Sequence, residues 1–318
     1  MKRRQWFQTI AASAIAGPAI QQLSSLSLAT ETSLAPTRVV DTHTHFYDPS
    51  RPEGVPWPDK GTSLYRRVMP TDWQAVAGPL GVKQTIVVEA SPWVEDNQWI
   101  LDIAAEEPAI LGLVGNLDPR DEQFSKHLNR FAKNALFLGI RWRSDLVPID
   151  RDREMLLRAA HELKDLDLEL DLNGPCRALP LANRLAQDVP ELRIVINHLG
   201  ASGDPQAIQA DWHANIRELA KRPNVFMKVS ALVEQVPGKP GEAPTDMEYY
   251  LPILDHLWEC FGEDRLIYGS NWPVSDRGAT YDVVYKIVSE YFAARGEAAT
   301  EKYFWQNAQT AYRWNERG

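Results

Sequence analysis

The stretch Val-Val-Asp-Thr-His-Thr-His at residues 39–45 begins with an apolar pair and ends in alternating polar side chains. Seven later runs are rich in Val, Ile and Leu, and together with the first they predict strands at 39–45, 85–90, 110–117, 136–142, 168–172, 192–198, 225–230 and 266–270. Amphipathic stretches between these runs predict helices that include 153–164, 179–187, 208–221 and 249–261. Strands that alternate with helices in this way form parallel sheets with helical crossovers.

Eight such units over residues 37–318 match a single-domain (β/α)8 TIM barrel of the α/β class, both in strand count and in length. A doubly wound open sheet is the competing architecture, and its signature is a Gly-rich phosphate loop after the first strand. No such loop follows residue 45. The barrel is therefore the predicted fold.

The first 36 residues differ from the rest of the chain. Basic residues at 2–4 precede a moderately apolar run at 7–20 and a tail rich in Ser, Leu, Ala and Thr, which is typical of an export signal. The adjacent arginines at 3–4 resemble a twin-arginine signal. The apolar run is shorter than the ~20 residues of a membrane-spanning helix, and a Gly-Pro pair interrupts it. We therefore predict a signal and tail at 1–36, export to the periplasm, and no membrane span.

The composition excludes several classes of protein. Lys and Arg total 34 against 43 Asp and Glu, a formal net charge of −9, whereas nucleic-acid binding needs clustered positive charge. Two cysteines are too few for a disulfide framework or a cysteine-rich zinc site. A hydrophobic fraction of 44% with 24% charged residues is that of an ordinary globular protein. The composition thus predicts a globular protein without a nucleic-acid partner, and it fixes no oligomeric state.

Polar side chains mark the ends of the predicted strands. In (β/α)8 barrels the catalytic residues lie at the C-terminal strand ends and in the loops just after them. Residues two apart on a strand share a face, so His43 and His45 are expected to point together into the barrel mouth. The other polar residues at predicted strand ends are Glu89, Asn116, Arg141, Asp171, Asn173, His198, Lys228, Ser230 and Asn271. A barrel that needed only stability would not require this pattern.

Five ordered motifs occur along the barrel: Asp-Thr-His-Thr-His at 41–45, Ile-Asn-His-Leu-Gly at 196–200, Asn-Val-Phe-Met-Lys-Val-Ser at 224–230, Tyr-Gly-Ser-Asn-Trp-Pro-Val at 268–274, and Asn-Ala at 307–308 followed by Tyr312. Taken in this order, from about residue 39 to 314, they resemble the amidohydrolase-related family of the amidohydrolase superfamily. The most similar branch contains sugar lactonases and pyrone-dicarboxylate lactonases. The resemblance implies a barrel hydrolase that attacks a carbonyl group with water, often in a lactone.

The resemblance also implies a metal site that this chain carries only in part. Metal-dependent members have His-x-His on strand one, histidines on strands five and six, and Asp on strand eight. Here His43, His45 and His198 are the candidate metal ligands, enough for a catalytic zinc with three protein ligands. Strand five ends in Asp171 without a histidine, and Asn271 stands where Asp is expected. Lactonase-like members without the strand-five histidine can work without metal, so the expected cofactor is either none or one divalent metal, zinc foremost.

The same departure bears on the mechanism. Hydrolysis needs a group that polarises the carbonyl and a base that activates water. The three histidines are the candidates to polarise the carbonyl, through a metal or by hydrogen bonds. Asn271 cannot accept a proton at neutral pH, so it would only orient the water. Glu89, Asp171 and His198 are then the candidate bases, unless the site is inactive or used differently.

Positive and aromatic side chains outline a substrate site. Arg141 suits bidentate recognition of a carboxylate, and Lys228 would add positive charge at the mouth. Trp57, Trp93 and Trp272 lie in predicted mouth loops and could stack on a sugar face. These residues predict a small carboxylated or sugar-derived lactone or ester as substrate. Alternatively, Arg141 and Lys228 form structural ion pairs with strand-end carboxylates.

Two other functions remain open at this stage. One is a metal-dependent non-oxidative decarboxylase of the same superfamily, which would need a more complete metal site than Asn271 and Asp171 provide. The other is a binding protein, a degenerate barrel that keeps the pocket after losing its base. Turnover of lactones, esters or aromatic acids, with and without chelation, separates the three.

Overall fold

The computed structural model describes residues 35–143 and 153–317, which contain one sheet of eight strands. The strands follow each other around the sheet in chain order, and each pairs with the next in parallel. They are β1 (Val40–Thr44), β2 (Gln84–Val88), β3 (Ile110–Gly115), β4 (Phe137–Arg143), β5 (Glu169–Asn173), β6 (Ile194–Ile196), β7 (Val225–Val229) and β8 (Leu266–Tyr268). The prediction of a single (β/α)8 barrel is confirmed.

Ten α-helices lie within the described residues, and most of them connect one strand to the next. They are α1 (Pro70–Ala77), α2 (Val94–Glu106), α3 (Phe124–Phe131), α4 (Arg153–Asp165), α5 (Leu179–Asp188), α6 (Ala210–Ala220), α7 (Leu251–Phe261), α8 (Tyr281–Ala293), α9 (Glu297–Glu301) and α10 (Asn307–Tyr312). The four helices whose residue ranges were predicted from the sequence correspond to α4 through α7. Their ends differ from the predicted ranges by at most two residues.

Two apolar clusters hold these layers together. The larger one lies between the strands and the helices, where the leucines of β5 pack outward. The smaller one lies inside the barrel and includes residues of α10 and the segment after it: Val40, Ile86, Val88, Leu111, Val114, Leu138, Val195, Phe226, Ile267, Ala308, Ala311, Tyr312 and Trp314. The C-terminal segment therefore covers the end of the barrel where the strands begin, and the opposite end is left for the site.

Strands β6 and β8 end earlier than predicted, at Ile196 and Tyr268. The cause is the backbone just beyond them, because His198 and Asn271 adopt φ values of 56° and 62°. This left-handed region cannot continue a strand, and among non-glycine residues Asn, Asp and His enter it most readily. Both side chains therefore stand on turns at the rim of the barrel rather than on the strands.

Strand β1 contains one extra residue relative to β2. Asp41 pairs with Thr85, whereas Thr44 pairs with Val87, so three steps along β1 match two along β2. Such a bulge re-aims the side chains that follow it. Val40 packs inside the barrel and Asp41 reaches Tyr281 of α8, yet His43, of opposite parity to Val40, also points inward. Simple alternation along β1 does not produce this arrangement.

The Asp41 carboxylate joins the first strand to the last. Its Oδ1 accepts hydrogen bonds from the backbone N–H groups of Ser270 (2.8 Å) and His43 (3.1 Å). Its Oδ2 accepts from the hydroxyls of Ser270 (2.6 Å) and Tyr281 (3.0 Å). Thr42 Oγ1 adds a bond to the carbonyl oxygen of Tyr268 at 2.6 Å. One buried side chain thus ties β1, the end of β8 and α8 together where the barrel closes.

Residues near the start of the described range contact residues near the C-terminal end of the chain. Thr37 Oγ1 donates to Glu301 Oε2 at 2.8 Å, and Arg38 forms an ion pair with Glu316 at 2.7 Å. Within the described ranges, no helix is both long and apolar enough to cross a membrane. The signal predicted at 1–36 lies almost wholly outside the described residues and stays a prediction.

Replacing Asp41 should destabilise the barrel strongly. In Asp41→Ala, two backbone N–H groups and two hydroxyls lose their acceptor inside the protein, and leaving even one buried donor unsatisfied costs about 1–3 kcal/mol. We expect the free energy of unfolding to fall by about 3 kcal/mol or more, measured by urea denaturation. Tyr281→Phe removes one of the four bonds and should cost about 1 kcal/mol. Equal effects of the two variants would contradict a closing role for Asp41.

Candidate active site

Three histidines meet at the open end of the barrel. The ring centroids of His43 and His45 are 5.0 Å apart, and those of His43 and His198 are 4.5 Å apart. His43 is completely buried, His45 is 4% exposed, and His198 is half-buried. The structure thus brings together the three histidines singled out from the sequence.

Two of these rings are held by hydrogen bonds. His45 Nδ1 lies 2.9 Å from the carbonyl oxygen of Val88, and since that oxygen only accepts, Nδ1 carries the hydrogen. Nε2 of the same ring lies 3.3 Å from Oδ1 of Asn271. His198 Nδ1 lies 2.9 Å from Oγ of Ser230, which also accepts the backbone N–H of His198 at 3.2 Å. The carbonyl oxygen of Val88 therefore orients the ring of His45, and the hydroxyl group of Ser230 orients that of His198.

His43 is different, because both of its ring nitrogens are buried and make no hydrogen bond to the described residues. Its position depends on Gly269: a Cβ added there would lie 2.9 Å from Cβ of His43 and 3.2 Å from Cδ of Lys228. A buried polar group without a partner costs about 1–3 kcal/mol, so its retention at a rim position marks a functional candidate. Both ring nitrogens of His43 are thus available to bind a substrate in the barrel mouth.

All three rings are neutral at physiological pH. Burial lowers the pKa of His45 to about 3, assisted by the positive charge of Arg141. Burial also lowers the pKa of His43 and of His198 well below the usual value, and in both cases the Lys228 ammonium disfavours a second cation. A neutral imidazole offers one N–H donor and one acceptor, so the mouth presents polar groups without adding charge.

The three predicted metal ligands do not form a metal site in this geometry. Within residues 35–143 and 153–317, no three His, Cys, Asp or Glu side chains are placed to hold one metal ion. Val88 engages Nδ1 of His45, and Ser230 engages Nδ1 of His198. In this arrangement His43, His45 and His198 therefore form no three-ligand metal centre, and we assign the reaction to side chains alone.

Lys228 and Asp171 form an ion pair inside the barrel. Lys228 Nζ lies 2.8 Å from Asp171 Oδ2 and donates to the carbonyl oxygen of Thr42 at 3.1 Å. Tyr312 Oη donates to Asp171 Oδ1 at 2.9 Å. Neither charged side chain has any exposed surface, and burial lowers the pKa of Lys228. The sequence left two roles open for Lys228, substrate binding and a structural ion pair, and the geometry is that of the ion pair. Both carboxylate oxygens of Asp171 are engaged in hydrogen bonds.

Arg141 and Glu89 form a second pair, nearer the rim. Nε and Nη2 of Arg141 donate to Glu89 Oε1 at 2.9 and 2.7 Å, and Nη2 also donates to the Glu89 carbonyl oxygen at 2.8 Å. Burial raises the pKa of Glu89, and the guanidinium opposes that rise. Arg141 also lines a cavity of about 100 Å³ together with Asn116 and Trp142. Arg141 is therefore both paired and open to a ligand on its other side.

The three tryptophans proposed from the sequence differ in exposure. Trp93 is 39% exposed, at the start of α2. Trp272 is 2% exposed, and the Arg66 guanidinium lies 5.8 Å from its ring centroid. Trp57, by contrast, places its ring 5.9 Å from that of His45. Stacking on a sugar is thus open to Trp93 and Trp57, whereas Trp272 has almost no free face.

Glu234 is a residue of the site that sequence reasoning missed. It lies in the loop after β7, and Asn271 Nδ2 donates to its Oε1 at 2.7 Å. Burial raises the pKa of Glu234 to about 7, against the hydrogen bond from Asn271 and the charge of Arg277. The sequence indicates this residue only weakly, as an acidic residue in the loop that follows β7, the neighbour of β8. Asn271 therefore touches a histidine with one end of its amide and a carboxyl group with the other.

Two similar proteins are both named L-fucono-1,5-lactonases. The chain is 33% identical over 242 residues to an L-fucono-1,5-lactonase of Burkholderia ambifaria, which covers 74% of this chain and 80% of that protein. It is 27% identical over 277 residues to an L-fucono-1,5-lactonase of Burkholderia multivorans, covering 84% of this chain and 92% of that protein.

Solved structures and a family model agree with these relatives. A crystal structure of an amidohydrolase from Burkholderia multivorans with bound zinc superimposes with a TM-score of 0.79, at 25% identity, covering 87% of this chain and all of that one. The amidohydrolase family model matches residues 40–314, nearly the whole barrel and each of the rim residues described above. The chain therefore belongs to the amidohydrolase family.

Proposed function

We propose that this chain is a lactonase that hydrolyses the lactone of a sugar acid. The observation that carries the proposal is His43, a buried imidazole in the barrel mouth whose ring nitrogens have no partner among the described residues. A lactone carbonyl oxygen would accept the N–H of that ring. The names of the two Burkholderia relatives, both L-fucono-1,5-lactonases, support a six-membered sugar lactone as the substrate class.

In this proposal His43 acts as a neutral hydrogen-bond donor. Negative charge develops on the carbonyl oxygen as water adds, and fixed donors aimed at that oxygen lower the barrier. His43 donates to the oxygen, with His45 and His198 packed on either side of it. The paired cations Arg141 and Lys228 add a positive potential without moving.

The remaining contacts are assigned to the polyhydroxy part of the substrate. Arg141, Asn116 and Trp142 line the cavity, as does Pro92, and the next residue, Trp93, presents an exposed ring. Hydroxyl groups would bond to the guanidinium and amide, and the apolar face of the sugar would lie on an indole. Neither the decarboxylase nor the binding-protein alternative is favoured, because the decarboxylase requires a fuller metal site and both relatives are named as enzymes.

Removal of the His43 ring should slow lactone hydrolysis by about 100-fold in kcat, the typical cost of losing one donor to a developing oxyanion. The measurement is acid release from a panel of sugar 1,5- and 1,4-lactones, comparing His43→Ala with the unaltered protein. His161→Ala, an exposed histidine on α4, is the matched control and should keep full activity. Unaltered protein that turned over aromatic acids and no lactone would contradict the proposal.

Chelation should leave the reaction intact, since the proposed chemistry uses side chains. After dialysis against EDTA, kcat for the best lactone is expected to stay unchanged, with the metal content followed by elemental analysis. Loss of activity on chelation, restored by zinc, would instead assign the carbonyl to a metal.

Residues 1–36 are proposed to direct export through the twin-arginine route, on the basis of the basic, apolar and small-residue pattern of that segment. Fractionation of bacterial cells should find the protein in the periplasm. Replacing both arginines at 3–4 by lysine should retain it in the cytoplasm, whereas replacing Lys2 by arginine should not. Periplasmic accumulation of the double-lysine variant would contradict a twin-arginine signal.

A further inference from the structure

The loop that follows β7 supplies polar groups to two different parts of the mouth. Ser230 bonds to the ring of His198, and Gln235 Nε2 donates to the carbonyl oxygen of His198 at 3.2 Å. Between them, Glu234 accepts the hydrogen bond from Asn271. Three residues within six positions therefore anchor this loop against the histidine cluster, which fixes where the Glu234 carboxyl group lies.

The two oxygens of Glu234 are unequal. Oε1 is held by the Asn271 amide at 2.7 Å, whereas Oε2 is buried and has no hydrogen-bond partner among the described residues. A neutral amide is a weaker partner for a carboxylate than an ammonium or guanidinium group. Glu234 is thus positioned firmly through one oxygen and left with proton-accepting capacity on the other.

The carboxyl groups considered from the sequence lack this freedom. Asp171 has both oxygens engaged, by Lys228 and Tyr312, and Glu89 faces the Arg141 guanidinium. Glu169 also has unpartnered oxygens, but it is the first residue of β5 and so lies at the end of the barrel away from the mouth. Of these four, Glu234 alone combines a place at the mouth with an unpaired oxygen.

Asn271 has a definite role beside it. Its amide offers one donor and one acceptor, and the donor is on Glu234 while Oδ1 faces His45 Nε2 at 3.3 Å. Because Nδ1 of His45 carries the hydrogen, Nε2 and Oδ1 face each other without a hydrogen between them, and no hydrogen bond joins them. The strong end of Asn271 is therefore the one that holds Glu234 as a carboxylate.

We propose that Glu234 is the general base of the hydrolysis, and that Asn271 is the residue that positions it. Together they replace the single aspartate expected at the end of strand eight. The inference rests on the proposed lactonase function and deepens it, since it names the proton acceptor that the function requires.

In the proposed reaction Glu234 first accepts a proton and later returns it. Glu234 Oε2 takes a proton from water as the water oxygen bonds to the lactone carbonyl carbon, and the carbonyl electron pair moves to its oxygen. When that pair returns, the bond between the carbonyl carbon and the ring oxygen breaks. The ring oxygen receives the proton from Glu234 and becomes a hydroxyl group. The products are the open hydroxy acid and the regenerated carboxylate.

Activity should then depend on the ionisation of Glu234. Its pKa is raised by burial to about 7, so the base is protonated and inactive below that pH, and kcat rises as the pH passes through it. The titratable and charged groups around it are His45 beyond Asn271, Tyr250, Arg277 and, along the adjoining cavity, Lys239 and Glu242. Arg277 favours the carboxylate, and the raised pKa shows that burial outweighs it.

The test is the pair of variants Glu234→Gln and Glu242→Gln, assayed on the best lactone between pH 5 and pH 9. Glu234→Gln keeps the shape and should lower kcat by about 100-fold with KM little changed, and it should remove the acid limb of the pH profile. Glu242, exposed in the same loop, is the control, and its variant should match the unaltered protein. A structural role alone would not remove the acid limb.

A double variant moves the carboxylate of the Glu234–Asn271 pair from position 234 to position 271. Glu234→Gln combined with Asn271→Asp keeps one amide and one carboxyl group in contact, and should recover part of the lost kcat. If Glu234→Gln fails to fold, Glu234→Asp keeps the carboxylate and should retain an acid limb with a reduced kcat.

Two results would overturn the assignment separately from the lactonase function. One is lactone turnover by Glu234→Gln within about threefold of the unaltered protein, far short of the 10²-fold typical of a lost general base. The other is a kcat of the unaltered protein that stays level below pH 7. Failure of the unaltered protein to hydrolyse any lactone would overturn both the base and the function it serves.

Discussion

Closure of the barrel depends on the carboxylate of Asp41. A sheet of eight parallel strands has two free edges until the first strand meets the last. Here the buried Asp41 side chain joins them by accepting two hydrogen bonds from Ser270, beside the bond from Thr42 to the carbonyl oxygen of Tyr268 and a backbone bond from His45 N–H to the carbonyl oxygen of Trp272. The same junction puts His45 of the first strand beside Asn271 after the last one. The stability of the fold and the composition of its mouth therefore share one anchor.

In the mouth the charged side chains are paired with each other, whereas the histidines are uncharged. Lys228 and Arg141 are each paired with a carboxylate, as the large cost of an isolated buried charge requires. The histidines stay neutral because they are buried and because those two cations already occupy the neighbourhood. A substrate oxygen that becomes negative would thus meet neutral donors backed by fixed positive charge, and no protein group would need to reorient.

The sequence predicts what depends on local pattern, and here that is most of the fold. Apolar runs such as 110–117 identify a strand without reference to its neighbours, and the barrel brings all strand ends to one rim, so His43, His45 and His198 were expected to meet. Pairings within the rim depend on depth and register, which no local pattern encodes, so Lys228 could not be matched to its carboxylate. Glu234 lies in a loop without periodicity, five residues beyond β7, and only the folded chain brings it to Asn271.

The backbone at Asn271 restricts how this site can vary. With φ at 62°, the position accepts glycine, asparagine or aspartate with the least strain. Aspartate and asparagine differ by one oxygen against one NH2 group, so a carboxylate and an amide can be exchanged here while the chain keeps its course. A single substitution at position 271 can therefore move the negative charge of the rim between this position and a neighbouring loop. It requires that the loop already contains an acidic residue in contact with position 271, as Glu234 is here.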